Sequence, residues 1–339
     1  MLVSPHLECF DHSRPLSTRV GKVVEETDAL VCDSGCRFPV IKNIPRFVES
    51  TNYASAFGLQ WNAFRKTQLD SYTGTTISYE RLARCLGGSL DIVRGKSVLE
   101  AGCGAGRFTE ILLSAGARVF ACDLSEAVEA NYENCKEQAD YFVCQADIQR
   151  LPVRPASFDI VLCLGVIQHT PDPQKTIAAL ASYLRPGGML VIDHYSTNYP
   201  YTFSRKLLRQ LLIRLPASAS KSAVIFLSRL LLPLHKMLWS KRRGMSRLSS
   251  YLAKVSPVVD YYGSYPQLGT KLLEEWAILD THDMLTDRYK HLRSKEEIES
   301  YLASCNLVGI EASYAGNGVE ARARMPVAEK QIMTEEVVG

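Results

Sequence analysis

Short apolar runs alternate with amphipathic ones through the middle of the chain. Residues 97–99, Ser-Val-Leu, read as a buried parallel strand. Phe108, Ile111, Leu112 and Ala115 then share one helical face, and Gly116 follows where a left-handed residue past the helix end is wanted. Further strand runs fall at 117–122, 141–145, 158–164 and 189–192, the last after an LRPGG turn, so strands and helices alternate as in a doubly wound sheet. Upstream, residues 53–90 read as helical, with Phe57, Trp61 and Phe64 on one face. Downstream, Ser294 and Glu297 form a capping-box pattern that opens a helix over 295–305. Strands at 308–313 and 319–324, joined through Gly316-Asn317-Gly318, predict a closing hairpin with an antiparallel last strand.

The first strand leads into Glu100 and a turn holding Gly102, Gly104 and Gly106. Glycines there let backbone approach a ligand and donate N–H groups near a helix N-terminus. In register with Gly102 and Gly104, the third glycine of the dinucleotide fingerprint falls on Arg107, so the pattern is G-x-G-x-G and not G-x-G-x-x-G. Preceded by Val98-Leu99-Glu100, it resembles the first motif of class I S-adenosylmethionine (SAM)-dependent methyltransferases, type 11-like. The resemblance implies an α/β fold: a Rossmann-like, doubly wound, seven-stranded sheet with a small N-terminal ribbon and a helical insertion after the fifth strand. It also implies a cofactor set of Glu100, Gly102, Cys103, Gly104, Gly106, Arg107, Asp123, Leu124, Asp147, Ile148, Leu164 and Gly165. An acidic residue after a strand is often only a turn former or helix cap. Glu100, Asp123, Asp147 and Gly165, however, all fall at the carboxyl ends of successive predicted strands, where open α/β sheets bind ligands.

Near the N-terminus, Cys9, His12, Cys32 and Cys36 resemble the zinc-ribbon-like segment that precedes some methyltransferase domains. His12 replaces the expected second cysteine and the second knuckle is one residue longer, leaving either a Cys3His zinc set or a ribbon without its metal. The implied domains are 1–50 (ribbon), 51–92 (helical lid), 93–195 with 292–326 (SAM-binding core), 196–291 (basic helical insertion) and 327–339 (frayed tail).

Composition changes this picture little: 46% hydrophobic and 22% charged residues describe an ordinary globular chain. The start of the chain lacks a basic stretch followed by an apolar one, and the ten cysteines are scattered, so a cytoplasmic, reduced protein is expected. Charge is more informative. Between Asp193 and Asp260 there is no acidic residue and there are twelve Lys or Arg, although the net charge is only +3. Within this segment Leu207, Leu208, Leu211, Leu212 and Leu215 are expected on one face, flanked by Arg205, Lys206 and Arg209. The next apolar run is interrupted by Arg229 and Pro233 and falls short of a membrane span. Residues 200–255 are therefore either an interfacial element on an anionic membrane's inner face or a substrate-domain helix pair.

The function expected is SAM-dependent O-methylation of an amphipathic or anionic small molecule, such as a lipid-linked saccharide, a polyprenyl quinone precursor or a nucleotide sugar. The alternatives are an RNA methyltransferase, a NAD-dependent oxidoreductase and a non-catalytic SAM-fold interaction protein. Basic residues set among leucines, without stacking aromatics, argue against nucleic acid. His169, His194 and Tyr195 are the candidate catalytic residues, at the tips of the fourth and fifth strands. Trp61, Asp280, Asp283 and Tyr289 are the candidate acceptor contacts, the last three in the stretch that returns the insertion to the core.

Overall fold

A computed structural model describes residues 6–19, 28–49, 51–199, 201–240, 251, 255–316 and 318–327. The N-terminal part forms small antiparallel sheets: β1 (Glu8–Cys9), β2 (Arg14–Pro15), β3 (Ser17–Arg19), β4 (Ala29–Val31), β5 (Arg37–Ile41) and β6 (Ile44–Pro45). Three short helices follow, α1 (Ser55–Ala63), α2 (Asp70–Thr73) and α3 (Ile77–Cys85). The expected helical stretch is broken twice, after Phe64 (φ −122°, ψ 39°) and at Gly74, which ends α2 in the left-handed conformation. Phe64 lies at the end of α1 and packs toward the insertion, away from Phe57 and Trp61.

The central sheet runs through β7 (Ser97–Ala101), α4 (Thr109–Ser114), β8 (Arg118–Asp123), α5 (Ala127–Cys135), β9 (Tyr141–Gln145), β10 (Phe158–Cys163), α6 (Pro173–Ser182) and β11 (Leu184–Tyr195). The insertion then contributes α7 (Phe203–Leu212), α8 (Ala217–Ser240) and α9 (Gly269–Thr286) before α10 (Lys295–Ser304), β12 (Val308–Ala315) and β13 (Gly318–Arg324). The seven strands lie in the order β12-β13-β11-β10-β7-β8-β9. β7 to β11 pair in parallel, while β13 is antiparallel to both neighbours, the expected closing hairpin. The chain reverses direction at β7, so the loops after β7, β8 and β10 meet over one edge of the sheet. LRPGG, expected as a turn, is part of β11; the ladder with β10 absorbs it as an irregularity between Phe158 and Ile160. Asn317 of the expected hairpin turn lies outside the described residues.

Two apolar layers sandwich the sheet. Leu7, Cys9, Leu16, Leu30 and Cys32 of the ribbon belong to one of them, so this segment shares the sheet's core. The insertion departs from its sequence pattern twice. In α7 only Leu208 and Leu212 face inward, against Val224 and Leu285, while Leu207, Leu211 and Leu215 are exposed. Arg205 and Arg209, expected to flank an outer lipid-facing stripe, point inward: Arg205 reaches the Val258 carbonyl and Arg209 pairs with Asp287. In α8 the apolar run is one continuous 24-residue helix through Pro233, long and apolar enough by length and composition to cross a membrane. One face, with Ser220, Val224, Ser228, Leu232, His235 and Leu238, is buried along the whole length of that helix. Lys241, Arg242, Arg243, Arg247 and Lys254 lie outside the described residues.

Candidate functional site

The loops over the sheet edge, α1, α3 and α9 enclose a cavity of about 660 Å³. Its floor is the turn after β7. Gly102 has φ +81°, and a Cβ there would stand 2.2 Å from Val166 Cγ2, so glycine lets the loop after β10 close onto the turn. The Gly104 amide donates to Asp123 Oδ2 at 3.1 Å, and the Trp61 indole covers this residue. Asp123 also accepts from the amide and hydroxyl of Ser125 at 2.8 and 2.7 Å. Burial raises its pKa, and these bonds only partly offset that.

Cys103, Leu124, Asp147, Ile148, Leu164 and Gly165 line the same cavity, as do Gly102, Gly104 and Asp123. Arg107 closes the wall beneath α3, donating to Ser78 Oγ at 2.8 Å and Gln68 Oε1 at 3.0 Å. Its guanidinium stacks near Phe108 and Trp276, and burial followed by the nearby Arg81 lowers its pKa to about 10. α1 is held over the β8–α5 loop by Asn52 and Asn62, whose amides donate to the Leu124 and Glu126 carbonyls at 2.9 Å each.

Four candidates stand outside the cavity. Glu100 is buried under the turn, where it accepts from Thr109 Oγ1 at 2.6 Å; desolvation pushes its pKa up to about 8. Gly106 faces Cys135 and Asn131 of α5, so it permits helix packing and not ligand approach. His194 alternates to the opposite sheet face from Tyr195, within 2.9 Å of the Tyr195 carbonyl, and burial lowers its pKa to about 4. The Tyr289 ring packs on Tyr53 and His291, and only its carbonyl approaches His169.

The opposite wall comes from α9 and the segment before it. Trp276, Asp280 and Asp283 face the cavity together with Tyr261 and Tyr265, whose rings stack at 5.5 Å from each other. Tyr261 donates to Asp280, and burial first, then Asp283, raises the Asp280 pKa to about 6 against the bond from Tyr261. His169 and Tyr195 meet edge to face, 5.3 Å between centroids, at the end where the sheet and insertion walls join. Sequence reading missed Arg81, ion-paired with Asp193, and Asp287, bonded to His169. The signal for Asp287 was present: Trp276, Asp280, Asp283 and Asp287 recur at four, three and four residues, one helical stripe.

In the ribbon, Cys9, His12, Cys32 and Cys36 converge, with their ligand atoms within 4.8 Å of one another. His12 Nδ1 is 3.6, 3.6 and 3.5 Å from the sulfurs of Cys9, Cys32 and Cys36. Tetrahedral zinc with bonds of about 2.3 Å to sulfur and about 2.0 Å to nitrogen separates such ligands by about 3.5 Å, so the donor set fits that ion.

Residues 99–192 match a family model described as a methyltransferase domain. A ubiquinone biosynthesis O-methyltransferase from Coxiella burnetii is 36% identical over 110 residues, 32% of this chain and 47% of that protein. Its namesake from Aromatoleum aromaticum is 35% identical over 109 residues, 31% of this chain and 46% of that protein. This chain thus spans about half the length of the curated relatives it matches. A solved structure, the 1,6-didemethyltoxoflavin-N1-methyltransferase of Burkholderia thailandensis, is 14% identical with a TM-score of 0.45, over 90% of this chain and 98% of that one. The seven-stranded sheet, its antiparallel last strand and the glycine turn are those that the sequence resemblance implies, and residues 99–192 are a methyltransferase domain of the class I, SAM-dependent type.

Proposed function

We propose that the protein transfers a methyl group from SAM to a hydroxyl of a lipid-linked, ring-bearing small molecule, a polyprenyl quinone precursor being the leading case. One observation carries this reading: a single cavity has the glycine turn, Asp123 and Asp147 on one wall and the Tyr261, Tyr265 and Trp276 rings on the other. Bound SAM would supply an electrophilic methyl on a sulfonium. The Gly102 to Ala105 turn, Asp123 and Asp147 would hold it, and the ring-lined wall would orient the acceptor, since in-line transfer depends on alignment. The names of the curated relatives support oxygen as the methylated atom.

Calorimetry with SAM and NAD in parallel tests the cofactor, and a 14-dalton mass gain in lipid extracts supplied with SAM tests the transfer. SAM binding without NAD binding is expected; the reverse rejects the reading. Asp123→Ala weakens SAM binding by about 1.5–3 kcal/mol, the range for lost hydrogen bonds to a charged group.

The insertion supports a membrane-surface acceptor. Phe226, Leu230, Leu234 and Met237 form an exposed stripe on α8; Phe203, Leu207 and Leu211 of α7 are exposed too, and Lys206, Arg214, Arg229 and Lys236 are exposed basic residues of the same insertion. Because the other face of α8 is packed along its length, the helix lies on a bilayer and does not span it. Sedimentation with phosphatidylglycerol vesicles is expected at low salt and lost at high salt; binding that ignores salt removes the anionic-lipid element. The ribbon cluster is assigned to structural zinc, expected at one ion per chain in the purified protein.

A further inference from the structure

His169 follows β10, and its side chain is 7% exposed at the cavity wall. Its ring nitrogens meet different surroundings. Nδ1 lies 3.0 Å from Asp287 Oδ2 and 3.3 Å from the Tyr289 carbonyl, both acceptors, so Nδ1 carries the hydrogen. Nε2 has no hydrogen-bond partner among the described residues. It sits 3.6 Å from Asp283 Oδ1, which is equally unpaired, while Tyr195 donates to the other Asp283 oxygen at 3.2 Å. Nε2 and a buried carboxylate oxygen thus face each other at 3.6 Å, neither with a hydrogen-bond partner among the described residues. A hydroxyl entering there has one hydrogen to donate, and Nε2 can accept it.

Asp287 is fully buried and held from two further sides. Arg209 Nε from α7 lies 2.7 Å from Oδ1, and Lys290 Nζ lies 2.7 Å from Oδ2 above the rings of Tyr195, Tyr199 and Tyr201. Burial would raise its pKa, but the His169 bond and the Lys290 and Arg209 charges outweigh it and hold the carboxyl below its usual range. His169, Asp283 and Asp287 lie close enough to hold a metal ion. With a guanidinium on one oxygen of Asp287 and an ammonium on the other, an added cation would meet two positive charges.

We infer that Asp287 is a positioning residue: it fixes His169 as the Nδ1–H tautomer, so that Nε2 faces the cavity as the proton acceptor for the methylated hydroxyl. This rests on the O-methyl transfer proposed above. The hydroxyl proton passes to Nε2, the oxygen forms the new bond to the methyl carbon, and the sulfur–carbon electron pair stays on sulfur. The imidazolium returns the proton to water after release.

Long-range proton–nitrogen NMR of the full chain, labelled at histidine and assigned through His169→Gln, reads the tautomer directly. The expected wild-type spectrum places the proton on Nδ1 in a strong hydrogen bond. That signal persists in Asp283→Asn and is lost in Asp287→Asn. A proton on Nε2 in the wild type, or an unchanged spectrum in Asp287→Asn, overturns the inference. The wild-type measurement decides alone should the variant not fold. With labelled SAM and an octyl-tailed catechol as probe, Asp287→Asn should lower kcat by about 10²-fold or more, with KM for SAM within about twofold. Asp287→Glu should recover part of the rate, and an Asp287→Asn kcat equal to wild type also overturns the assignment. Failure of the wild type to bind SAM would reject the methyltransferase reading and leave the tautomer result standing.

Discussion

Glu100 and Asp123 end adjacent parallel strands, yet only Asp123 reaches the cavity. Strand position, legible in the sequence, placed both at the ligand-binding edge; side-chain direction and the partner Thr109 decided the rest. A carboxyl at 3% exposure with its pKa raised to about 8 stays protonated in the folded protein while its unfolded counterpart ionises near the ordinary glutamate value of 4.5. The folded state then binds more protons, so Glu100 costs stability as pH rises from about 4.5 to about 8. Glu100→Gln should therefore melt increasingly above wild type across that window and by a constant margin beyond it, measured by calorimetry of the ligand-free protein. The glycines separate in the same way. All three were legible as a turn, but Val166 opposite Gly102 and Cys135 opposite Gly106 are distant in sequence. Gly102→Ala should weaken SAM affinity at least about tenfold, because the added carbon displaces Val166 from the cavity wall.

Among the elements, α7 shows how far periodicity reaches. Its leucines were readable as helical, and so was the mixture of basic residues, but the inward direction was not. Asp287 supplies the reason: a buried carboxylate draws Arg209 inward, and the helix rotates its Leu207 and Leu211 rows outward. Leu212→Ala should then cost about 2–5 kcal/mol in denaturant unfolding, as for other buried leucines. Leu211→Glu should change stability by no more than about 0.5 kcal/mol while abolishing vesicle sedimentation. In α9 Asp280 and Asp283 are legible as acceptor contacts and line the cavity, whereas Asp287, on the same stripe at the helix C-cap, turns to His169, a partner too distant in sequence to be read.

For the whole molecule, sheet order and the meeting of loops were the most legible features. Alternating strands and helices with connections of this length admit few topologies, and each puts strand carboxyl ends on one edge. The ribbon was legible as a metal-ligand pattern but not as part of the main core, since its contacts with β8, β9 and β10 residues such as Phe142 and Phe158 are long-range. Because that core is shared, removal of the proposed zinc should act on the entire fold. Chelation, or Cys32→Ser, is expected to shift the single calorimetric transition downward as a unit; a separate small transition for the ribbon would contradict this.

Just after β6 the backbone runs beside β9: Arg46 bridges Gln145 in parallel, and the Phe47 amide donates to the Gln145 carbonyl at 2.8 Å. The N-terminal segment thereby covers the carboxyl end of the sheet's outer strand. A chain shortened to begin at residue 51 would bare the Gln145 end of that edge strand and leave it open to pairing with another copy. Light scattering should report self-association of the trimmed protein under conditions that keep the intact one dispersed.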